Sequence, residues 1–180
     1  YEMPLINLAG CADPRQNAVI AKSWSNHISK TVSSRISPFV FSDGTICKSK
    51  IRLGYLSADF RDHAIAHLMV GLFPLHNRDE FEVFSYSYGP DDESYYRKTI
   101  ERASDRFIDL RLFGDEDAAK RIYDDEVHIL VDLMGHTKGS RLAICAVRPA
   151  PVQVTYLGSM ATTGADFFDY IVTDRIVTPE

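Results

Sequence analysis

Six short apolar runs, spaced by helix-like segments, constrain this chain more than any other feature. They fall at 51–57 (IRLGYLS), 81–87 (FEVFSYS), 106–110 (RFIDL), 128–133 (HILVDL), 152–157 (VQVTYL) and 169–173 (DYIVT). Helical patterns occupy 63–75, 92–103, 115–125 and 139–147. Strand-length apolar runs alternating with helices build βαβ units, which close into a parallel sheet through right-handed crossovers. The expectation is an α/β fold, a parallel sheet flanked by helices.

The first part of the chain reads differently. Asp13-Pro14 is a helix opening, because Asp caps and Pro tolerates the first turn. Val19, Ile20, Trp24, Ile28 and Val32 then recur at three- and four-residue steps, an apolar stripe that needs cover. Phe41-Ser42-Asp43-Gly44-Thr45 reads as a turn. The division expected is a helical segment over 1–47 and a sheet domain over 48–180. Tyr1 and the closing Thr178-Pro179-Glu180 both read as cuts through a longer protein.

Composition narrows the function classes. A net charge of -5, with basic residues scattered along the chain, argues against a nucleic-acid partner. No apolar run approaches the roughly 20 residues that span a bilayer, and the opening YEMPLINLAG lacks the pattern of a signal peptide. Cys11, Cys47 and Cys145 are widely spaced and form no CxxC, so reduced thiols and a cytoplasmic location are expected.

In a parallel sheet all strand exits lie on one edge, so the residues that follow each strand report on function. Asp59-Phe60-Arg61-Asp62-His63 follows the first, Tyr88-Gly89-Pro90-Asp91-Asp92 the second, Met134 to Arg141 the fourth, and Gly158 to Asp166 the fifth. Glycines, hydroxyls, histidines and a lysine gather there, beyond what a structural sheet requires. His63 begins a helix, where the dipole disfavours imidazolium and suits a proton acceptor, although capping is the commoner role. Asp59 reads either as a reacting carboxylate or as a turn acid. His63 and His67, four apart on one helix face, have metal-ligand spacing, but no HExxH pattern or third ligand accompanies them, so no metal is expected. The GHTKGSR loop offers backbone amides and the Lys138 charge to an oxyanion, without Walker spacing; its alternative is a glycine turn with a solvated lysine. Tyr86, Tyr88, Tyr95 and Tyr96 read as an aromatic packing cluster, and Asp124, Asp125 and Glu126 as a solvated helix end.

Taken together, RLGYLSADFRDHAIAHL, FEVFSYSYGPDD, VHILVDLMGHTKGSRL, RPAPVQVTYLG and TTGADFFDYIVTD resemble the amino-terminal catalytic lobe of the O-GlcNAc transferase family of glycosyltransferases, which includes bacterial homologues and the plant Spindly-type enzymes. The resemblance covers about residues 48 to 180 in one colinear order. It implies a GT-B architecture, two Rossmann-like lobes facing across a cleft, with this chain as the first lobe. The first 36 residues would be the helices that follow a tetratricopeptide array.

By motif position the resemblance implies that His63 is the active-site histidine and Asp59 the acid of a proton relay. Leu157 and Gly158 would line the sugar pocket, with Thr137 and Lys138 of the TKG loop and a supporting His67 completing the substrate-binding set. The donor would be a nucleotide sugar, UDP-GlcNAc above others, the acceptor a protein Ser or Thr hydroxyl, with no metal or other cofactor. A carboxyl-terminal lobe of the same chain would hold the nucleotide. Ser159-Met160-Ala161 stands where the family usually has Tyr-Pro-Gly, which leaves the donor sugar open. The alternative to an inverting transferase is a non-catalytic Rossmann-like interaction module.

Overall fold

The computed structural model describes Pro4, Gly10, residues 13–41 and residues 50–178. The turn at Ser42–Thr45, Cys11, Cys47, most of the opening decapeptide, Pro179-Glu180 and the division at 47/48 lie outside the described residues. Helix α1 (Pro14–Ser33) precedes β1 (Ile51–Ser57), α2 (Ala64–Met69), a 3-10 turn (Phe73–Leu75) and β2 (Phe81–Ser87). Then come α3 (Tyr95–Ala103), β3 (Arg106–Asp109), α4 (Asp115–Asp124), β4 (Ile129–Asp132), α5 (Leu142–Ala146), β5 (Val152–Tyr156) and β6 (Tyr170–Val172).

All six strands form, and every pairing is parallel in the order β3-β2-β1-β4-β5-β6. This is the doubly wound, Rossmann-like order, whose reversal between β1 and β4 opens a crevice at the carboxyl ends of the strands. The helices are shorter than their apolar patterns. Pro74 cannot sit inside a helix, so the run expected over 63–75 ends at Met69 and resumes as the 3-10 turn. Asp91 and Asp92 bind the amides of Glu93 and Ser94, so α3 starts only after its cap, Ser94.

Strand alternation divides the core in two. Leu53, Tyr55, Val83, Val131 and Val154 pack with α2, α3 and Phe60 on one face. On the other, Leu56, Phe84, Tyr86 and Leu130 pack with α4 and α5. Tyr86 is wholly buried and its hydroxyl donates to Asp125, which also receives Arg121. Asp125 is therefore a half-buried partner, not part of a solvated helix end. The tyrosines form no single cluster: Tyr86 stacks with Phe84, while Tyr95 and Tyr96 meet edge to face on the other side of the sheet.

The loops at the carboxyl edge interlock through their backbones. A β-carbon on Gly89, after β2, would lie 1.7 Å from the carbonyl oxygen of Ala58, after β1. One on Gly158, after β5, would lie 1.9 Å from the oxygen of Leu133, after β4. Only glycine permits either approach, so the exits of four strands are fitted together before any side chain takes part.

Helix α1 is capped by Asp13, which accepts from the Arg15 amide at 2.9 Å, as the Asp-Pro opening suggests. Its apolar stripe is only partly the buried face. Ile28 and Val32 reach the core, but Val19 is 68% exposed, and the fully buried positions are Ala21 and Ser25. Polar contacts set this rotation. The Ser25 hydroxyl donates to the Thr163 carbonyl at 2.7 Å, and His136 Nε2 meets the same oxygen at 2.8 Å and Ser25 Oγ at 3.1 Å. One buried knot thus joins α1 to the loops after β4 and β5. Burial pushes the His136 imidazole below its usual value, against the carbonyls of Thr163 and Ala21 that pull it up.

Two outcomes are expected. Gly89→Ala should lower unfolding free energy by about 1–3 kcal/mol, the range for overpacking, read by urea denaturation; an unchanged midpoint would show that the loops part freely. Because the folded state holds His136 below the value of the unfolded chain, the unfolded state binds more protons as pH falls through 6.5. Stability from this group is therefore full above that pH and declines below it. The advantage of the wild type over His136→Gln should shrink between pH 7.5 and pH 5.5, and a pH-independent difference would refute this assignment.

Candidate active site

The β1 exit places a histidine beside a carboxylate. Ser57 Oγ accepts from the Asp59 amide at 2.9 Å, turning the chain as the strand ends, and leaves Asp59 only 7% exposed. Arg61 Nη2 lies 3.3 Å from Asp59 Oδ1, and His63 Nδ1 lies 3.4 Å from Oδ2. His63 is not within the helix. It is the cap of α2, with extended backbone, and its Nδ1 accepts from the Ile65 amide at 3.3 Å.

Two partners therefore compete for one ring nitrogen. With Nδ1 accepting from Ile65, the neutral ring carries its proton on Nε2. With Nδ1–H turned to Asp59, the lone pair is on Nε2. The His63 side chain is 37% exposed, so Nε2 is reachable. A histidine oriented by a carboxylate and open on its other nitrogen is an arrangement for general base chemistry.

His67 does not join this pair. Since His63 is extended, the four-residue spacing does not put the two rings on one helix face. His67 Nε2 meets Asp62 Oδ1 at 2.7 Å, and its ring stacks on Tyr96 with centroids 4.0 Å apart. Asp92 accepts from the Asp62 amide at 2.7 Å, so His67 belongs to a rim that ties the β1 and β2 exits together. Among the described residues no group of three or more His, Cys, Asp or Glu is placed to hold a metal ion.

The other predicted positions line neighbouring exits. Thr137 Oγ1 donates to the Met134 carbonyl at 2.9 Å, closing the first turn of the loop after β4. Lys138 stands exposed next to it, in no ion pair among the described residues. Leu157 has φ 62, a left-handed conformation that costs about 1–2 kcal/mol in a residue with a side chain. The Gly158 amide bonds back to Tyr156 at 2.7 Å, and Gly158 lies flat on the Leu133–Met134 peptide, so packing holds the strained turn in place.

One residue at this edge escaped the sequence reading. Asp132, the last of β4, is 2% exposed and pairs in register with Leu56 of β1. Its Oδ2 accepts from the amides of Gly135 at 2.7 Å and Met134 at 3.3 Å, while burial pushes the carboxyl up to about 7 against their pull. The available signal was a single acid inside an otherwise apolar run, ILVDLM. A cavity of about 360 Å³ lined by Thr31, Arg35, Gly114 and Val147, and another of about 410 Å³ beside Lys22 and Tyr170, contain none of these residues.

Comparison with known proteins bears on the family and the fold. The glycosyl transferase family 41 profile matches residues 11–180. A probable UDP-N-acetylglucosamine–peptide N-acetylglucosaminyltransferase, SEC of Arabidopsis thaliana, is 37% identical over 98% of this chain and 19% of its own length. The Caenorhabditis elegans UDP-N-acetylglucosamine–peptide N-acetylglucosaminyltransferase is 41% identical over 72% of this chain and 11% of its own. SPINDLY of Arabidopsis thaliana is 33% identical over 72% of this chain. Among solved structures, a mutant of the Thermobaculum terrenum O-GlcNAc transferase superposes with TM-score 0.86 at 30% identity, covering 98% of this chain and 34% of that one. The chain thus spans a fifth or less of the first two relatives. With a profile match across nearly all of its residues and a fold to agree, this chain belongs to glycosyl transferase family 41.

Proposed function

We propose that this chain is the amino-terminal lobe of an inverting protein O-glycosyltransferase, moving GlcNAc from UDP-GlcNAc to Ser or Thr hydroxyls. The observation that carries the reading is the contact between His63 and the buried Asp59 at the switch point of the sheet. An alcohol is a weak nucleophile at neutral pH, and a base must take its proton as it attacks the anomeric carbon. His63 Nε2 serves this when Asp59 holds the proton of the ring on Nδ1. The acceptor hydroxyl forms the new glycosidic bond, its proton passes to Nε2, and the bond between the sugar and the diphosphate breaks with inversion.

The exits of β4 and β5 would close over the sugar. Gly158, pressed on the Leu133–Met134 peptide, fixes that wall, and Leu157 contributes its side chain. Thr137 and the exposed Lys138 lie on the same loop edge, the lysine free to approach the leaving diphosphate. His67, held by Asp62 and Tyr96, is a supporting group at the rim. The nucleotide would be held by a second, carboxyl-terminal lobe, for which the large share of each relative outside the match leaves room. Residues 1–47 are read as the helical segment that follows a tetratricopeptide array, and the protein as cytoplasmic, working without metal or other cofactor.

The test is turnover by the full-length protein with UDP-GlcNAc and a protein acceptor. His63→Ala should lower kcat by about 10²–10⁴-fold, the usual contribution of a positioned base. Asp59→Asn, which keeps the shape but no longer favours the Nδ1–H form, should fall by about tenfold or more with little change in donor KM. Full activity in His63→Ala would remove the proposed base. Silence of the wild type with UDP-GlcNAc, UDP-glucose and GDP-fucose would favour a non-catalytic interaction module.

A further inference from the structure

We propose that Asp132 is a positioning residue: its carboxylate shapes the loop after β4 so that this loop and the turn after β5 form one wall of the sugar site. The inference rests on the glycosyl-transfer reading for its functional part and on geometry for the rest.

Asp132 is unusual for a turn former. Asn or Ser makes the same local bonds without a charge, and a carboxylate in a fully buried place is costly unless it is well satisfied. Among the described residues no cation pairs with it. From just after β2, Tyr88 faces it, with a buried hydroxyl close to the Arg141 backbone. From α5 comes the thiol of Cys145, whose ionisation is opposed first by burial and then by the neighbouring acid. Arg141 covers the Tyr88 ring at 5.4 Å but is committed to Asp115 and to the carbonyls of Leu110 and Phe113. The only donors to Asp132 among these bonds are backbone amides.

Those amides are placed where the two loops meet. The amide held at 2.7 Å is that of Gly135, itself a left-handed residue with φ 55. A β-carbon there would lie 2.7 Å from that of Ser159. The Met134 nitrogen, held at 3.3 Å, is 2.4 Å from where a β-carbon on Gly158 would stand. The Met134 carbonyl in turn receives Thr137 Oγ1. One buried acceptor therefore sets the peptide on which Gly158 rests, the contact with Ser159 and the turn that presents Thr137 and Lys138.

The experiment compares Asp132→Leu, nearly isosteric without an acceptor, with Asp132→Asn, whose side-chain oxygen still accepts both amides. In the full-length protein, Asp132→Leu should lower kcat/KM by about tenfold to a hundredfold, mostly as a rise in donor KM, the scale of a lost buried acceptor. Hydrogen exchange at Met134 and Gly135 should accelerate by a similar factor, and Asp132→Asn should restore both readouts towards wild type. A folded Asp132→Leu with unchanged kcat/KM and exchange overturns the proposal, as does an Asp132→Asn as impaired as the leucine variant. If Asp132→Leu fails to fold, the asparagine variant alone decides, by keeping or losing protection and turnover. A wild type without turnover defeats the transferase reading, while the exchange measurements still judge the role of Asp132 in the loop.

Discussion

The parallel pairing of β1 with β4 is the constraint on which the rest of this structure depends. Leu53 to Leu56 run beside Ile129 to Asp132, and the strand order reverses across that seam. Connections on its two sides pass over opposite faces of the sheet, so the exits of these strands diverge and leave a crevice. The Asp59–His63 pair stands on one side of the seam and Asp132 on the other. Apolar packing on both faces fixes the seam, which lets the edge carry a strained leucine and a buried carboxyl group bonded to backbone amides.

The walls of the crevice are set by backbone contact more than by side chains. Gly89 on Ala58 ties β2 to β1, and Gly158 on Leu133 ties β5 to β4. Peptide-on-peptide packing has little give, because no side chain can rotate to relieve it. The Ser25–Thr163–His136 knot extends the same assembly to α1, so this helix is coupled to the edge that carries the site. A movement of α1 cannot leave the loops after β4 and β5 where they are without breaking buried hydrogen bonds.

Much of this was legible in the sequence, and the reasons differ by residue. Every strand lies within a residue of its apolar run; for the central β1, β2 and β4 the reason is that strands buried on both sides must be largely apolar. His63 at the start of a helix and Asp59 at the end of a strand follow from local signals. Their contact does not, since it depends on how the chain turns between them. The buried face of α1 was misplaced for a related reason: Ala21 and Ser25 carry little hydrophobic signal, yet their small size and one hydroxyl let the helix meet His136. His67 read as a partner of His63 because a helix was assumed to run through both. Asp132 was missed because an acid after three apolar residues resembles any strand end, and only the fold reveals that water does not reach it.

The competition for His63 Nδ1 has a direction in the proposed reaction. In the ground state, a neutral amide at 3.3 Å and a carboxylate at 3.4 Å offer bonds of similar length, and the ring can serve either. Once Nε2 takes the proton of the acceptor, the ring is an imidazolium and both nitrogens must donate. The Ile65 amide, itself a donor, can no longer be a partner, whereas Asp59 becomes one end of a charge-assisted hydrogen bond, roughly twice as strong as a neutral one. Arg61 occupies Oδ1 and leaves Oδ2 facing the ring, so this bond forms without moving the carboxylate. The interaction strengthens only as charge develops, which is the condition for a contact to speed the chemical step without merely tightening substrate binding.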